Sequence, residues 1–164
     1  MQYMYHVSSP LGGILLAGFE DVLTGLWFEG QKYYAHTLVL PYEEKHLPVF
    51  AETERWLDQY FKGRNPDFSP SLAPQGTPFQ REVWDILLSI PYGQTMTYGQ
   101  IASVIAEKRG LPHMSSQAVG GAVGRNPISI IIPCHRVLGS GGSLTGYAGG
   151  IDRKERLLCL EGIL

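Results

Sequence analysis

Residues 130–137 read Ile-Ile-Ile-Pro-Cys-His-Arg-Val, and no other run constrains the chain as much. Three consecutive β-branched residues favour a buried, extended backbone, and Pro127 and Pro133 bound them. Pro133 has no N–H to give to a sheet ladder, so a strand over the isoleucines must stop there. The expectation is a buried strand with Cys134 held at its lip. His135 and Arg136 stand next to the cysteine, and basic neighbours favour the thiolate, the nucleophilic form of the side chain. A single cysteine in a core is usually structural. The Pro-Cys-His-Arg-Val string makes Cys134 a candidate nucleophile instead.

A chain of 164 residues holds one large domain or two small ones, and an apolar content of 44% excludes a disordered chain. No apolar run approaches the roughly 18 residues of a membrane-spanning helix. Met1–His6 shows no basic region followed by an apolar core, so no signal peptide is expected. The two cysteines, Cys134 and Cys159, are then expected to stay reduced, in the cytoplasm. Net charge is −2, but it is unevenly spread: residues 1–75 carry 5 Lys+Arg against 9 Asp+Glu, and residues 76–164 carry 8 against 6. Any polyanion would be met by the second half.

The pattern along the chain predicts an α+β fold in two domains, 1–74 and 75–164. Tyr3–Val7, Ile14–Gly18 and Val22–Phe28 read as strands of an antiparallel meander, with turns at residues 8–13 and 20–21. Residues 32–40 offer a further strand. Phe50, Trp56, Leu57, Tyr60 and Phe61 fall on one helical face. Residues 67–76, rich in Pro and Ser, form the boundary. A helix then starts at Thr77-Pro78, and a second at the capping box Thr97-Tyr98-Gly99-Gln100. A turn over residues 108–113 leads to a third helix from Ser115/Ser116 to Val123. Two short helices joined by a turn are the helix-turn-helix pattern, although an ordinary helical hairpin is commoner. Gly120 and Gly121 inside the third helix each weaken it by ~1 kcal/mol relative to Ala, and are tolerated where another surface comes close. A final helix is expected over residues 151–161.

These residues resemble the O6-alkylguanine-DNA alkyltransferases, the methylated-DNA–protein-cysteine methyltransferases. Pro133-Cys134-His135-Arg136-Val137 is similar to the family's active-site signature. The likeness extends along nearly the whole chain. It includes Pro10-Leu11-Gly12, residues 25–30 and 76–84, Thr97–Ala102, Ala118-Val119-Gly120, Arg125-Asn126-Pro127 and Gly146–Gly150. The resemblance implies a ribonuclease H-like N-terminal domain and a C-terminal domain that binds DNA and carries the chemistry. It implies direct repair of double-stranded DNA containing alkylated bases, by a monomer with no metal, no cofactor and no membrane association. The damaged guanine is flipped out, and its O6-alkyl group passes irreversibly to Cys134, once per molecule. O4-alkylthymine is left open as a second substrate.

The same resemblance assigns roles. His135 takes the thiol proton through a water, and Glu161 orients the imidazole. Asn126 ties the helix to the active-site segment. Tyr98 gives a proton to the leaving guanine, whose displacement from an sp³ carbon calls for a soft sulfur nucleophile. The carbonyls of Cys134 and Val137 read the base, with Tyr147, Ala148, Gly149 and Gly150 around it. Thr97, Gln117, Ala118, Gly121, Arg125 and Ser140 face DNA. Relatives carry an arginine where this chain has Gln117, which lacks the charge and planar stacking of a guanidinium. Weaker base flipping, or compensation by Arg125, is the expectation. Three rival readings remain: a lesion-sensing DNA binder with weak or no transfer, a Cys-His hydrolase, and a plain transcription factor.

Overall fold

The computed structural model describes residues 1–164. By contacts the chain forms two compact units: Met1–Gln75 with Pro127–Ile131, and Gly76–Asn126 with Ile132–Leu164.

In the first unit, β1 (Gln2–Ser9), β2 (Gly12–Phe19) and β3 (Val22–Phe28) form the antiparallel meander. A short β4 (Tyr42–Glu44) pairs parallel to β1, so the sheet is mixed, in the order β3-β2-β1-β4. The extra strand therefore lies after residues 32–40, not within them. The reason is burial on both faces of β2 and β3. One face is covered by α1 (Pro48–Phe61), whose Phe50 stacks near Tyr5. The other presents Leu15, Ala17 and Trp27, and the 32–40 segment covers them with Ala35 and Leu38. Buried Gln2 fastens that cover by accepting from the Val39 N–H at 2.9 Å. Gly25 is needed in β3 because the Trp27 indole lies where a Cβ would be.

The isoleucine run is not a strand. The outer edge of β3 takes only single bridges, at Leu23↔Leu72 and Leu26↔Ile128. The Leu26 N–H donates to the Pro127 carbonyl at 2.8 Å, and the Ser129 N–H returns to the Leu26 carbonyl at 2.9 Å. The backbone then turns at Ile130, whose φ is +68°. A β-branched residue is strained there by about 1–2 kcal/mol. Ile130 stays because its side chain is buried, as are its isoleucine neighbours. Apolar content correctly marked this stretch as interior, but the backbone bends where periodicity suggests extension.

In the second unit, α2 (Pro78–Leu88) opens on a Thr77/Gln80 capping box. Its Trp84 donates from Nε1 to the Ala122 carbonyl at 2.9 Å, which joins it to α4 (Ser116–Gly124). Between them come β5 (Met96–Thr97) and α3 (Tyr98–Arg109), which starts on the Thr97/Gln100 capping box. Gly110, at φ 64°, ends α3, so the helix reaches further than the expected turn start at residue 108. The connection to α4 is residues 110–115, with Ser115 as the cap. A 3₁₀ turn, Cys134–Arg136, leads into β6 (Val137–Leu138), which pairs parallel with β5. The last element is α5 (Ile151–Leu160). No helix is long and apolar enough to cross a membrane.

Gly25→Ala should force the Trp27 ring out of place and cost about 1–3 kcal/mol, seen as a lower urea midpoint with an unchanged slope.

Candidate active site

Cys134 opens the 3₁₀ turn that follows Pro133, and the Arg136 N–H closes back on the Pro133 carbonyl at 3.0 Å. All three side chains of the turn, Cys134, His135 and Arg136, are buried. His135 Nε2 lies 2.6 Å from Glu161 Oε2. Arg136 also turns to Glu161, donating from Nε at 2.8 Å and from Nη2 at 3.2 Å, while its Nη1 reaches the Ile90 carbonyl at 2.8 Å. The Gly93 N–H donates to the same carboxylate at 3.0 Å. Glu161 follows the last turn of α5, so the end of the chain closes the site.

Asn126 and Tyr147 both lie close enough to the Cys134 thiol to favour its ionised form. Asn126 also donates from Nδ2 to the Ile132 carbonyl at 2.8 Å, bridging the end of α4 to the segment that carries the cysteine. Tyr98, at the start of α3, points its hydroxyl at the Thr145 and Gly146 carbonyls, each at 3.3 Å. Tyr98 and Cys134 are close enough for the thiolate charge to act on the phenol.

The electrostatics correct one expectation. Burial pushes the Cys134 thiol up, and the hydrogen bond from Asn126, the Lys154 charge and the Tyr147 hydroxyl oppose this without overcoming it. His135 and Arg136 do not hold a resting thiolate, because both side chains are taken by Glu161. Burial also pushes the His135 imidazole down, against the pull of Glu161, so the ring is neutral at neutral pH. Burial alone would raise Glu161. Hydrogen bonds from His135 and Arg136 reverse that and bring it to about 2. Tyr98 is raised by burial and then by Cys134, which keeps it a protonated donor.

The other candidate residues sort by location. Gln117, Ala118, Gly121 and Arg125 share the exposed face of α4. Thr97, Tyr98, Ser116, Gln117 and Ser140 line an open groove of about 600 Å³. Val137, Ala148 and Gly149 are at least partly buried, and Gly150 is exposed. The Val137 carbonyl accepts from Lys154 Nζ at 2.5 Å.

The model of the 6-O-methylguanine DNA methyltransferase DNA-binding domain matches residues 78–163, and that of the ribonuclease-like domain matches residues 2–74. A methylated-DNA–protein-cysteine methyltransferase of Methanosarcina acetivorans is 47% identical over 161 residues, covering 97% of this chain and 99% of the relative. The chain belongs to this family. The Mycobacterium leprae methyltransferase is 46% identical, with 94% of this chain and 89% of the relative covered. Among solved structures, Mycobacterium tuberculosis OGT in complex with DNA superposes with a TM-score of 0.83 at 43% identity, covering 97% of this chain and 92% of that one. A further structure of the M. tuberculosis O6-methylguanine methyltransferase gives 0.82.

For this methyltransferase, reasoning from the sequence missed three participants. Gly93 contributes only a backbone N–H and leaves no side-chain signal. Arg136 stood out as a neighbour of the cysteine, but its pairing with Glu161 links residues 25 apart in the chain. Lys154 sits in a charged run, 152–156, and looks like surface. The available signal was its spacing: it precedes the buried Leu157 and Leu158 by three and four residues, on their face of α5.

Glu161 lies far below its ordinary value, so the folded state favours its charged form. The stability it contributes is present above the unfolded value of 4.5 and is lost as pH falls toward 2. Glu161→Gln should cost ~3 kcal/mol at pH 7, because buried Arg136 loses its counter-charge. It should also flatten the loss of stability that the parent shows below about pH 5. Urea titrations of both proteins across pH 3–7 (roughly the range the linkage covers) measure the two effects.

Proposed function

We propose that this methyltransferase repairs O6-alkylguanine in DNA by moving the alkyl group onto Cys134, once per molecule. The buried His135–Glu161 pair next to a thiol is the observation that carries the assignment. With Nε2 engaged by Glu161, Nδ1 is the ring nitrogen that takes the thiol proton, directly or through a water. The carboxylate then stabilises the imidazolium that forms. The thiolate attacks the alkyl carbon, a sulfur–carbon bond forms and the carbon–O6 bond breaks. Tyr98 protonates the departing guanine at its ring nitrogen and regains a proton from solvent or the imidazolium. A thiol held neutral until the base arrives suits a nucleophile used once, since a standing thiolate would be open to oxidation.

The exposed face of α4 enters the DNA, with Gln117, Ala118, Gly121 and Arg125 against it and Thr97 and Ser140 at the groove rim. Asn126 fixes α4 relative to the cysteine, so binding and chemistry share one frame. Gly120 sits under the Tyr98 ring, where a larger side chain would reach it. Tyr147 to Gly150 form the wall of the base pocket. The setting is intracellular, where DNA lies and a thiol stays reduced. No metal or cofactor enters the scheme.

Incubation with a duplex carrying one O6-methylguanine should add one methyl mass to the intact chain, saturating at one per molecule, and Cys134→Ala should show none. Binding of the lesion duplex without a mass change would support a lesion sensor instead. His135→Ala should slow single-turnover transfer about 10²-fold or more. Because burial lowers His135, the parent's rate should persist below the pH at which a free imidazole protonates, and fall only in more acidic buffer. A rate that falls with an ordinary imidazole midpoint would remove His135 as the buried base. Gln117→Arg should raise the rate on duplex more than on single-stranded substrate.

A further inference from the structure

In the first unit, β1 extends beyond the strand that covers its outer edge. β4 pairs with it only from Gln2 to Met4, and after Glu44 the chain leaves the sheet for α1. The Lys45 N–H donates to the Met4 carbonyl at 3.1 Å, so Met4 turns its backbone groups to the β4 side. Backbone groups alternate along a strand, which puts those of His6 and Ser8 on the same edge. The pairing with β2 agrees. Gly13, opposite Ser8, gives its carbonyl to the Glu29 N–H at 2.9 Å, away from β1. No group of the protein answers the outward N–H and C=O of His6 and Ser8, and both residues are exposed. Open edges are usually blunted by a charge, a bulge or a proline. Residues 7–9 carry none of these, and Pro10 comes only after the strand has ended.

A groove of about 620 Å³ lies beside this edge, between β1 and α1. Val7, Leu57 and Phe61 give it an apolar lining, and Glu54, Asp58 and Lys62 give it a charged one. Glu54 and Asp58 stand one helical turn apart on α1. Glu54 is met by His46 at 2.6 Å and Asp58 by Lys62 at 2.9 Å. Both pairs are exposed, and exposed pairs are worth little in water, so an incoming cation can exchange with them. The whole unit is acidic, since residues 1–75 hold 5 Lys+Arg against 9 Asp+Glu. A second copy of this unit is acidic too and is repelled, whereas a basic segment is attracted.

We propose that the uncovered half of β1 and the groove beside it dock an extended segment of a partner protein, added to the sheet as a further strand and presenting one basic and one apolar side chain to the groove. The open edge selects an extended backbone, because His6 and Ser8 offer it two donors and two acceptors in strand register. The groove selects the side chains. Residues two apart on a strand share a face and lie about 7 Å from each other. One enters over Val7, Leu57 and Phe61 and is apolar. The other meets Glu54 and Asp58 and is Lys or Arg. None of these residues belongs to the active site, so the docking edge stands apart from the repair chemistry.

The test titrates the full chain, labelled with nitrogen-15, with the blocked peptide acetyl-Thr-Val-Thr-Lys-Thr-Val-Thr-amide, whose valines and lysine share one face. At saturating peptide the His6 and Ser8 amide signals should shift, and their hydrogen exchange should slow about tenfold. Glu54→Gln combined with Asp58→Asn, two exposed changes, should weaken binding about fivefold. His6→Pro removes an outward donor from an edge and should abolish it. If His6→Pro does not fold, the Glu54/Asp58 double variant carries the comparison. All folded variants should still take one methyl group from the lesion duplex. Unmoved His6 and Ser8 amides at millimolar peptide would overturn the proposal. So would equal binding of the peptide with Glu in place of Lys, which would remove the basic partner. Protection of the same amides that grows with protein concentration alone, together with a dimer in sedimentation, would give the edge to a second copy and also overturn it.

Discussion

The Glu161 carboxylate is the contact on which the rest of the second unit depends. It accepts from His135, Arg136 and the Gly93 backbone, and so draws together the end of α5, the cysteine turn and the loop after α2. Burying a carboxylate is unfavourable by several kcal/mol unless its acceptor sites are filled. Here the filling groups include a guanidinium, and the result is an acid held at about 2, charged under all ordinary conditions. A permanent anion at this point fixes which ring nitrogen of His135 is occupied, Nε2, from the residue that caps α5.

Burial also favours the neutral forms of the groups around Cys134. It raises the thiol, lowers the imidazole and raises the Tyr98 phenol. Two fixed charges stand in the same dry interior: the Glu161 carboxylate against His135, and the Lys154 ammonium on the carbonyls of Val137, Thr145 and Gly146.

The two units show different routes from sequence to structure. In the first, alternation and turn residues placed β1 to β3 correctly, because strand periodicity and tight turns are local. The 32–40 segment was misread because its apolar residues cover a sheet face instead of extending the sheet, and sheet membership is a tertiary matter. In the second, Thr77 before Pro78 and the capping box at Thr97 marked helix starts to the residue, since a cap is satisfied within four residues of chain.

The sequence by itself determined the α+β class, most elements and the family, and it singled out Cys134 and His135 as candidates, because these rest on local pattern and on a contiguous string. Only the tertiary structure decided that the isoleucine run bends at Ile130, that Arg136 serves Glu161 rather than the sulfur, and that Lys154 is buried near the thiol. The last two depend on which groups fill a buried polar atom's hydrogen-bonding capacity. That is settled by residues far apart in the chain, such as Arg136 with Ile90 and Glu161, or Lys154 with Val137. Propensity acts within a few residues, whereas satisfaction of buried charge acts across the whole fold.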